Sequence, residues 1–381
     1  MSYLKTKIEC LKDFLNLGKS KPCENEYHIK AAIIWIYKAQ DVTKDGGVSR
    51  MYDLRRGWGA SYPETTGYII PTLFDYYHLS GDLESRGRAI NLAKWESNVQ
   101  MENGAIQAGT VNSNPKVPTI FNTGQVIFGW VRAYKETGDK KFYNSAEKAS
   151  EWLVETQDED GAWRKYSSSV ALPGPNTYNT RTAWALLKAY SVISKEKYLV
   201  AARKNIDWAI TQQLDNGWFK NNCLTDNDRP LLHTIAYAIR GILESGVVLN
   251  DNRYLELARI PADILISLQR NDGSLAGRFD SNWRPTVRWS CLTGDAQISI
   301  IWLRLFEIFG KEKYYLAGKR INNYLKSVQD IKTKNKNIYG GIKGSYPIYG
   351  DYGKYQYLNW AAKFFIDALI LEERVSKKFS L

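Results

Sequence analysis

Apolar residues along this chain fall into two alternating kinds of segment. In the first kind they recur every three or four positions among polar residues. Residues 142–157 carry Ala146, Ala149, Trp152 and Leu153 in this way, and residues 198–213 carry Leu199, Ala202, Ile206, Ala209 and Ile210. That spacing predicts an amphipathic helix with one buried face. In the second kind, apolar residues occupy nearly every side, as in Tyr68-Ile69-Ile70, Val126-Ile127-Phe128 and Trp184-Ala185-Leu186-Leu187. A helix of that composition is buried all round. These second helices start near Thr65, Asn122, Asn179, Leu232, Leu292 and Leu358. A long loop precedes each of them. A short polar connection such as Thr137-Gly138-Asp139-Lys140-Lys141 leads on to the next amphipathic helix.

A repeat sets the phase of this alternation. Each amphipathic segment ends in a glutamine, at positions 40, 100, 157, 213, 269 and 329, in steps of 60, 57, 56, 56 and 60 residues. A turn follows and ends in glycine, as in Gln157-Asp158-Glu159-Asp160-Gly161, and such a turn stops a helix. A fixed period of this kind marks a repeated supersecondary unit. Six hairpins of outer and inner helix predict an all-α (α/α)6 toroid, with residues 1–381 as a single domain. All six inner helices then run the same way. Their N-termini and the six long loops gather at one mouth, where helix dipoles add partial positive charge.

Composition adds a direction. The chain has 52 basic and 40 acidic residues, a formal charge of +12, and 13 Trp, 25 Tyr and 12 Phe. So many rings line a cavity as well as fill a core. The charge favours an acidic partner, yet no nucleic-acid motif or Lys/Arg run is present. Four scattered cysteines make no disulfide framework. The N-terminal residues have no signal-peptide pattern, and no apolar run has membrane-spanning length. A cytoplasmic location is expected.

The stretch Trp152 to Trp163, with Gln157-Asp158-Glu159-Asp160-Gly161 at its centre, resembles the Gln-Trp repeat of squalene cyclases and related terpenoid-cyclase and prenyltransferase toroids. The resemblance implies the toroid. It does not imply cyclase chemistry, because the acidic Asp-x-Asp-Asp motif has no counterpart here; Asp226-Asn227-Asp228 does not match it. Six-hairpin toroids also carry glycoside hydrolases, sugar epimerases and polysaccharide lyases, and fold does not choose among them.

Three sets of residues stand at the expected mouth. His233, Tyr237 and Arg240 share one face of the fourth inner helix. A His/Tyr pair can move protons and an arginine can neutralise a carboxylate, the requirements for elimination or epimerisation beside a uronic carboxylate. Glu64 and Asp295 form the second set, a carboxylate pair for glycoside hydrolysis. Cys223, His233 and Cys291 form the third, a candidate zinc site of the kind that lanthionine cyclases and prenyltransferases hold. Around them, Trp58, Tyr62, Trp163, Trp218, Trp283 and Trp289 offer rings to sugars. Gln125, Asn179, Gln297 and Asn359 offer amides, and Arg181 a further charge.

The expected function is a carbohydrate-active enzyme taking an acidic oligo- or polysaccharide into the central cleft. Lyase- or epimerase-like proton abstraction leads and needs no cofactor. The alternatives are a Glu/Asp glycoside hydrolase, a zinc-dependent or terpenoid-type cyclase or transferase, and a non-catalytic glycan-binding toroid.

Overall fold

The structure, a computed structural model, describes residues 2–168 and 171–380. After an N-terminal helix α1 (Ser2–Phe14), six outer helices alternate with six inner ones. The outer set is α2 (Asn25–Asp41), α4 (Leu83–Val99), α6 (Lys140–Glu155), α8 (Glu196–Thr211), α10 (Asn252–Ser267) and α12 (Glu312–Val328). The inner set is α3 (Pro63–Ser80), α5 (Ile120–Thr137), α7 (Thr180–Ile193), α9 (Leu232–Leu249), α11 (Leu292–Phe309) and α13 (Asn359–Phe379).

Each inner helix touches the next, and α13 returns to α3, so the ring is closed. Each inner helix from α3 to α11 packs on the outer helix that follows it; α13, the last, packs on α2 from the start of the chain. The N-terminal outer helix thus fills the gap left by the C-terminal inner one, and the (α/α)6 toroid is complete. Helix α9 is apolar along its length because it is walled in by its neighbours.

The repeated glutamine holds the outer ring together. The Nε2 of Gln157 donates to the carbonyl of Gly161 at 3.0 Å in its own turn, and to that of Ala201 on α8 at 2.9 Å. Gln100 does the same toward Ser145 on α6, Gln213 toward Leu257 on α10, and Gln269 toward Ala317 on α12. Gln329 closes the circuit onto His28 of α2 at 3.2 Å. Gln40 departs from the pattern: it bonds its own Gly46, while its Oε1 accepts from Arg88 of α4. The glycine is required twice over. At Gly104 the backbone has φ +90°, and a Cβ would sit 2.5 Å from the Lys148 carbonyl of the next outer helix. The motif that marked the period is therefore a backbone staple between neighbouring repeats.

At the mouth the loops form small sheets. Strand β1 (Met51–Asp53) lies between β2 (Gly57–Trp58) and β5 (Gln356–Leu358), antiparallel to both. Strand β3 (Ser290–Cys291) pairs with β4 (Ser345–Tyr346). The first sheet ties the loop before α3 to the loop before α13, and so fixes what faces the opening from both sides of the ring closure.

Candidate active site

The N-terminal ends of the inner helices surround a cavity of about 110 Å³. Its lining has a register. The second residue of four inner helices points into it: Glu64 on α3, Phe121 on α5, His233 on α9 and Trp360 on α13. One turn deeper, at i+4 on the same faces, lie Tyr68 and Tyr237. Tyr62, Tyr178 and Tyr352 add rings from the loops, and Arg50 supplies the cation.

Among the described residues, Glu64 is the one carboxylate in this lining. Its Oε2 accepts from the Tyr62 hydroxyl at 2.8 Å. Burial drives its pKa up to about 7, against the opposing effects of that hydrogen bond and of Arg50 and Arg181. The Arg50 guanidinium lies 5.6 Å from the Tyr62 ring centre and 5.9 Å from that of Trp360. Its Nε has no hydrogen-bond partner.

His233 is held from behind. Its Nδ1 lies 2.8 Å from Gln297 Nε2 on α11, which also reaches the Thr293 carbonyl at 3.4 Å. With that amide donating, Nδ1 is the acceptor and Nε2 carries the proton. Burial, followed by the charge of Arg181, lowers the His233 pKa to about 3, so the ring is neutral at physiological pH. It stacks at 4.4 Å from Tyr237 and 5.4 Å from Tyr352. Such a group is a hydrogen-bond donor and a weak base.

The other expected residues divide by place. Tyr62, Glu64, His233 and Tyr237 converge as anticipated. Arg240 does not join them: seven residues along α9 is about 10 Å of rise, and its side chain lines a second cavity at the opposite end of the ring. Arg181 also lines that second cavity, with Nε donating to Gln125 Oε1 at 2.6 Å. Asp295 is fully buried, and its Oδ1 accepts from the Leu275 amide at 3.2 Å, outside the cavity. Glu64 and Asp295 therefore do not form a pair.

The zinc set is not assembled. Among the described residues no three His, Cys, Asp or Glu side chains are grouped to hold a metal ion. The Cys291 thiol is engaged by the backbone amides of Gly294 and His233, and burial raises its pKa to about 12. Burial likewise raises that of Cys223 to about 11.

The expected sugar-binding tryptophans brace loops instead. Trp163 donates to the Leu153 carbonyl in the core. Trp218 and Trp283 meet edge to face at 5.2 Å, and Trp58 packs on Trp35. Trp289 covers Gly277 and Gly350. Asn359 ties down the Ser49 carbonyl and Thr65 Oγ1, at 3.0 and 2.7 Å. Asn179 is buried at the start of α7, away from the mouth cavity. Arg50, Tyr68, Phe121, Tyr178 and Trp360 are among the lining residues that sequence reasoning missed. Phe121 and Trp360 were accessible by aligning the inner helices on Glu64 and His233; Arg50 had no such signal.

Similarity to known proteins agrees with this architecture. Residues 116–243 match the family described as squalene-hopene cyclase C-terminal domain. No curated protein matches the sequence. Among solved structures, the chain is similar to an unsaturated glucuronyl hydrolase specific for heparin, with 18% identity, TM-score 0.76, and 94% of this chain and 98% of that one covered. It is also similar to an unsaturated glucuronyl hydrolase from Bacillus sp. GL1, with 15% identity, TM-score 0.71, and 91% and 97% covered. A third is a cellobiose 2-epimerase from Bacillus thermoamylovorans, with 15% identity, TM-score 0.72, and 91% and 96% covered. At these identities the likeness establishes the shared (α/α)6 fold.

Proposed function

We propose that the protein is a carbohydrate-active enzyme that takes the terminal residue of an acidic oligosaccharide into the mouth cavity and delivers a proton to it from Glu64. The carrying observation is the single carboxyl with a pKa of about 7, set among aromatic rings and one arginine. A carboxylic acid still protonated near neutrality is a general acid. Tyr62 orients it. Arg50, with an unpartnered Nε, is placed to receive the substrate's carboxylate. His233 donates from Nε2 to a ring or linkage oxygen, and Gln297 fixes its tautomer. Tyr68, Tyr178, Tyr237 and Trp360 form the walls against which a sugar ring lies.

One acid without a carboxylate partner favours a substrate that needs only protonation and water. An unsaturated uronyl group is such a substrate: its enol-ether double bond takes the proton at carbon, and the resulting cation takes up water. That is also the group named in the hydrolases of like fold. The epimerase of like fold and the lyase chemistry expected from the sequence differ from it in their products. Incubation with unsaturated uronyl disaccharides separates the three. Loss of near-ultraviolet absorbance, abolished in Glu64→Gln, is the expected result. A gain of absorbance with intact acidic polysaccharide identifies a lyase. Constant absorbance with a new diastereomer by NMR identifies an epimerase. Full activity of Glu64→Gln on any of these substrates overturns the assignment of the acid.

A further inference from the structure

The opposite end of the ring, where the inner helices finish, holds a larger cavity of about 750 Å³. Nine arginines and lysines line it against four aspartates and glutamates. Three of the four acids are already engaged. Glu244 accepts a fork from Arg304, at 3.0 and 3.1 Å. Asp367 pairs with Lys363, and Asp75 with Arg132 at 2.7 Å.

Among the lining cations without a hydrogen-bonded carboxylate, three converge on one ring. Arg181, Lys188 and Arg240 lie 5.4, 5.7 and 5.2 Å from the centre of the Trp184 ring. Arg181 is 2% exposed, and its Nη1 has no hydrogen-bond partner. Arg240 leaves Nε and Nη1 unbonded, with its nearest carboxylate oxygen, on Glu244, 4.0 Å away. Among the described residues Lys188 has no carboxylate within ion-pair distance.

A buried guanidinium normally spends its N–H groups on carbonyls or carboxylates. These guanidinium groups do not: the free N–H groups bond neither carbonyl nor carboxylate. Like charges gathered in an enclosed site with little counter-charge are costly. An anion removes that cost.

We infer that this rear chamber is an anion-binding site for a phosphate or sulfate ester, gripped by Arg181, Lys188 and Arg240. Three donors arriving from two helices suit a tetrahedral group with three terminal oxygens better than a planar carboxylate with two. The arginine forks supply paired N–H groups for such oxyanions, and the volume leaves room for the rest of the ester. Arg181 is also the partition between the chambers. Its guanidinium lies 5.1 Å from the ring centre of Tyr237 and 5.9 Å from that of Tyr68, two rings that face the mouth. The inference is independent of the proposed chemistry at the mouth.

The test is calorimetric titration of the intact chain with inorganic phosphate, inorganic sulfate, glucose 6-phosphate and glucose 6-sulfate, at constant ionic strength set with chloride. Saturable one-to-one binding is expected, and the two esters show which source is preferred. Arg240→Met and Lys188→Gln each weaken it tenfold or more, whereas Arg50→Ala at the mouth leaves it unchanged. Thermal unfolding controls for folding: in chloride alone Arg240→Met unfolds within a few degrees of the parent, because Glu244 keeps its fork from Arg304. Three results overturn the inference: no saturable binding, binding insensitive to both rear variants, or a large fall in melting temperature for Arg240→Met in chloride, which makes that cation structural.

Discussion

The two chambers each contain a buried glutamate, and the two glutamates are in opposite states. Glu64 at the mouth meets a phenol and, at a distance, Arg50; burial prevails and its pKa rises to about 7. Glu244 at the rear is just as enclosed. There burial also pushes upward, but the charges of Arg304 and Arg240 outweigh it and hold the carboxyl below its ordinary value. One is a proton reservoir and the other a permanent counter-ion. What separates them is the number of guanidinium groups within ion-pair distance, two at Glu244 and, among the described residues, none at Glu64.

The sharpest way to break this comparison is to neutralise each acid in turn. Glu64→Gln should cut turnover about 10²- to 10⁴-fold while leaving folding intact. Glu244→Gln should leave the Arg304 fork without its carboxylate and lower the unfolding free energy by about 3 kcal/mol in denaturant titrations. If the two phenotypes are exchanged, the roles assigned here are wrong.

Next, pH should move the two acids oppositely. Glu64 has a raised folded pKa, so it stabilises most below its unfolded value of 4.5 and progressively less up to about 7. Above that, Glu64→Gln should be more stable than the parent by about 3 kcal/mol, and equal to it near pH 4. Glu244 has a lowered folded pKa; its contribution is present above its unfolded value and disappears as pH falls below it. Parallel melting curves of parent and both variants from pH 2 to 9 check both signs. The rate should also fall as pH rises through about 7, where the acid form of Glu64 is lost.

Arg50→Ala tests whether the mouth's cation binds substrate. A charged hydrogen bond of about 1.5–2 kcal/mol predicts a KM raised roughly tenfold or more, with kcat changed less. An unchanged KM sends the substrate's acidic group elsewhere. Smallest is Gln157→Leu, which removes a staple beside the mouth and none at the rear. It should cost about 1–2 kcal/mol of stability, with anion binding in the rear chamber unaltered.

Much of the frame could be read from the chain. Period and apolar pattern placed all six inner helices within a few residues of their starts. The site was only partly legible. Glu64, His233 and Tyr237 were found because position along an inner helix fixes depth from the mouth. Arg240 was misplaced by the same logic pursued too far: a shared face does not mean a shared chamber when two turns of helix separate the residues. Arg50 was invisible because its place depends on β1 pairing with β5, about 300 residues later. The tryptophans misled because ring type predicts burial well but says nothing about which surface a ring covers.

The glutamine–glycine repeat, taken alone, determined the number of units, their direction and which helix lies inside, since those follow from local hydrogen-bonding and apolar periodicity. The tertiary structure decided everything that depends on charge neighbours: which carboxyl stays protonated, which arginines remain unpaired, and that the toroid has two chambers of opposite character. Ionisation inside a protein is set by distances between groups from different repeats, and these exist only once the ring has closed.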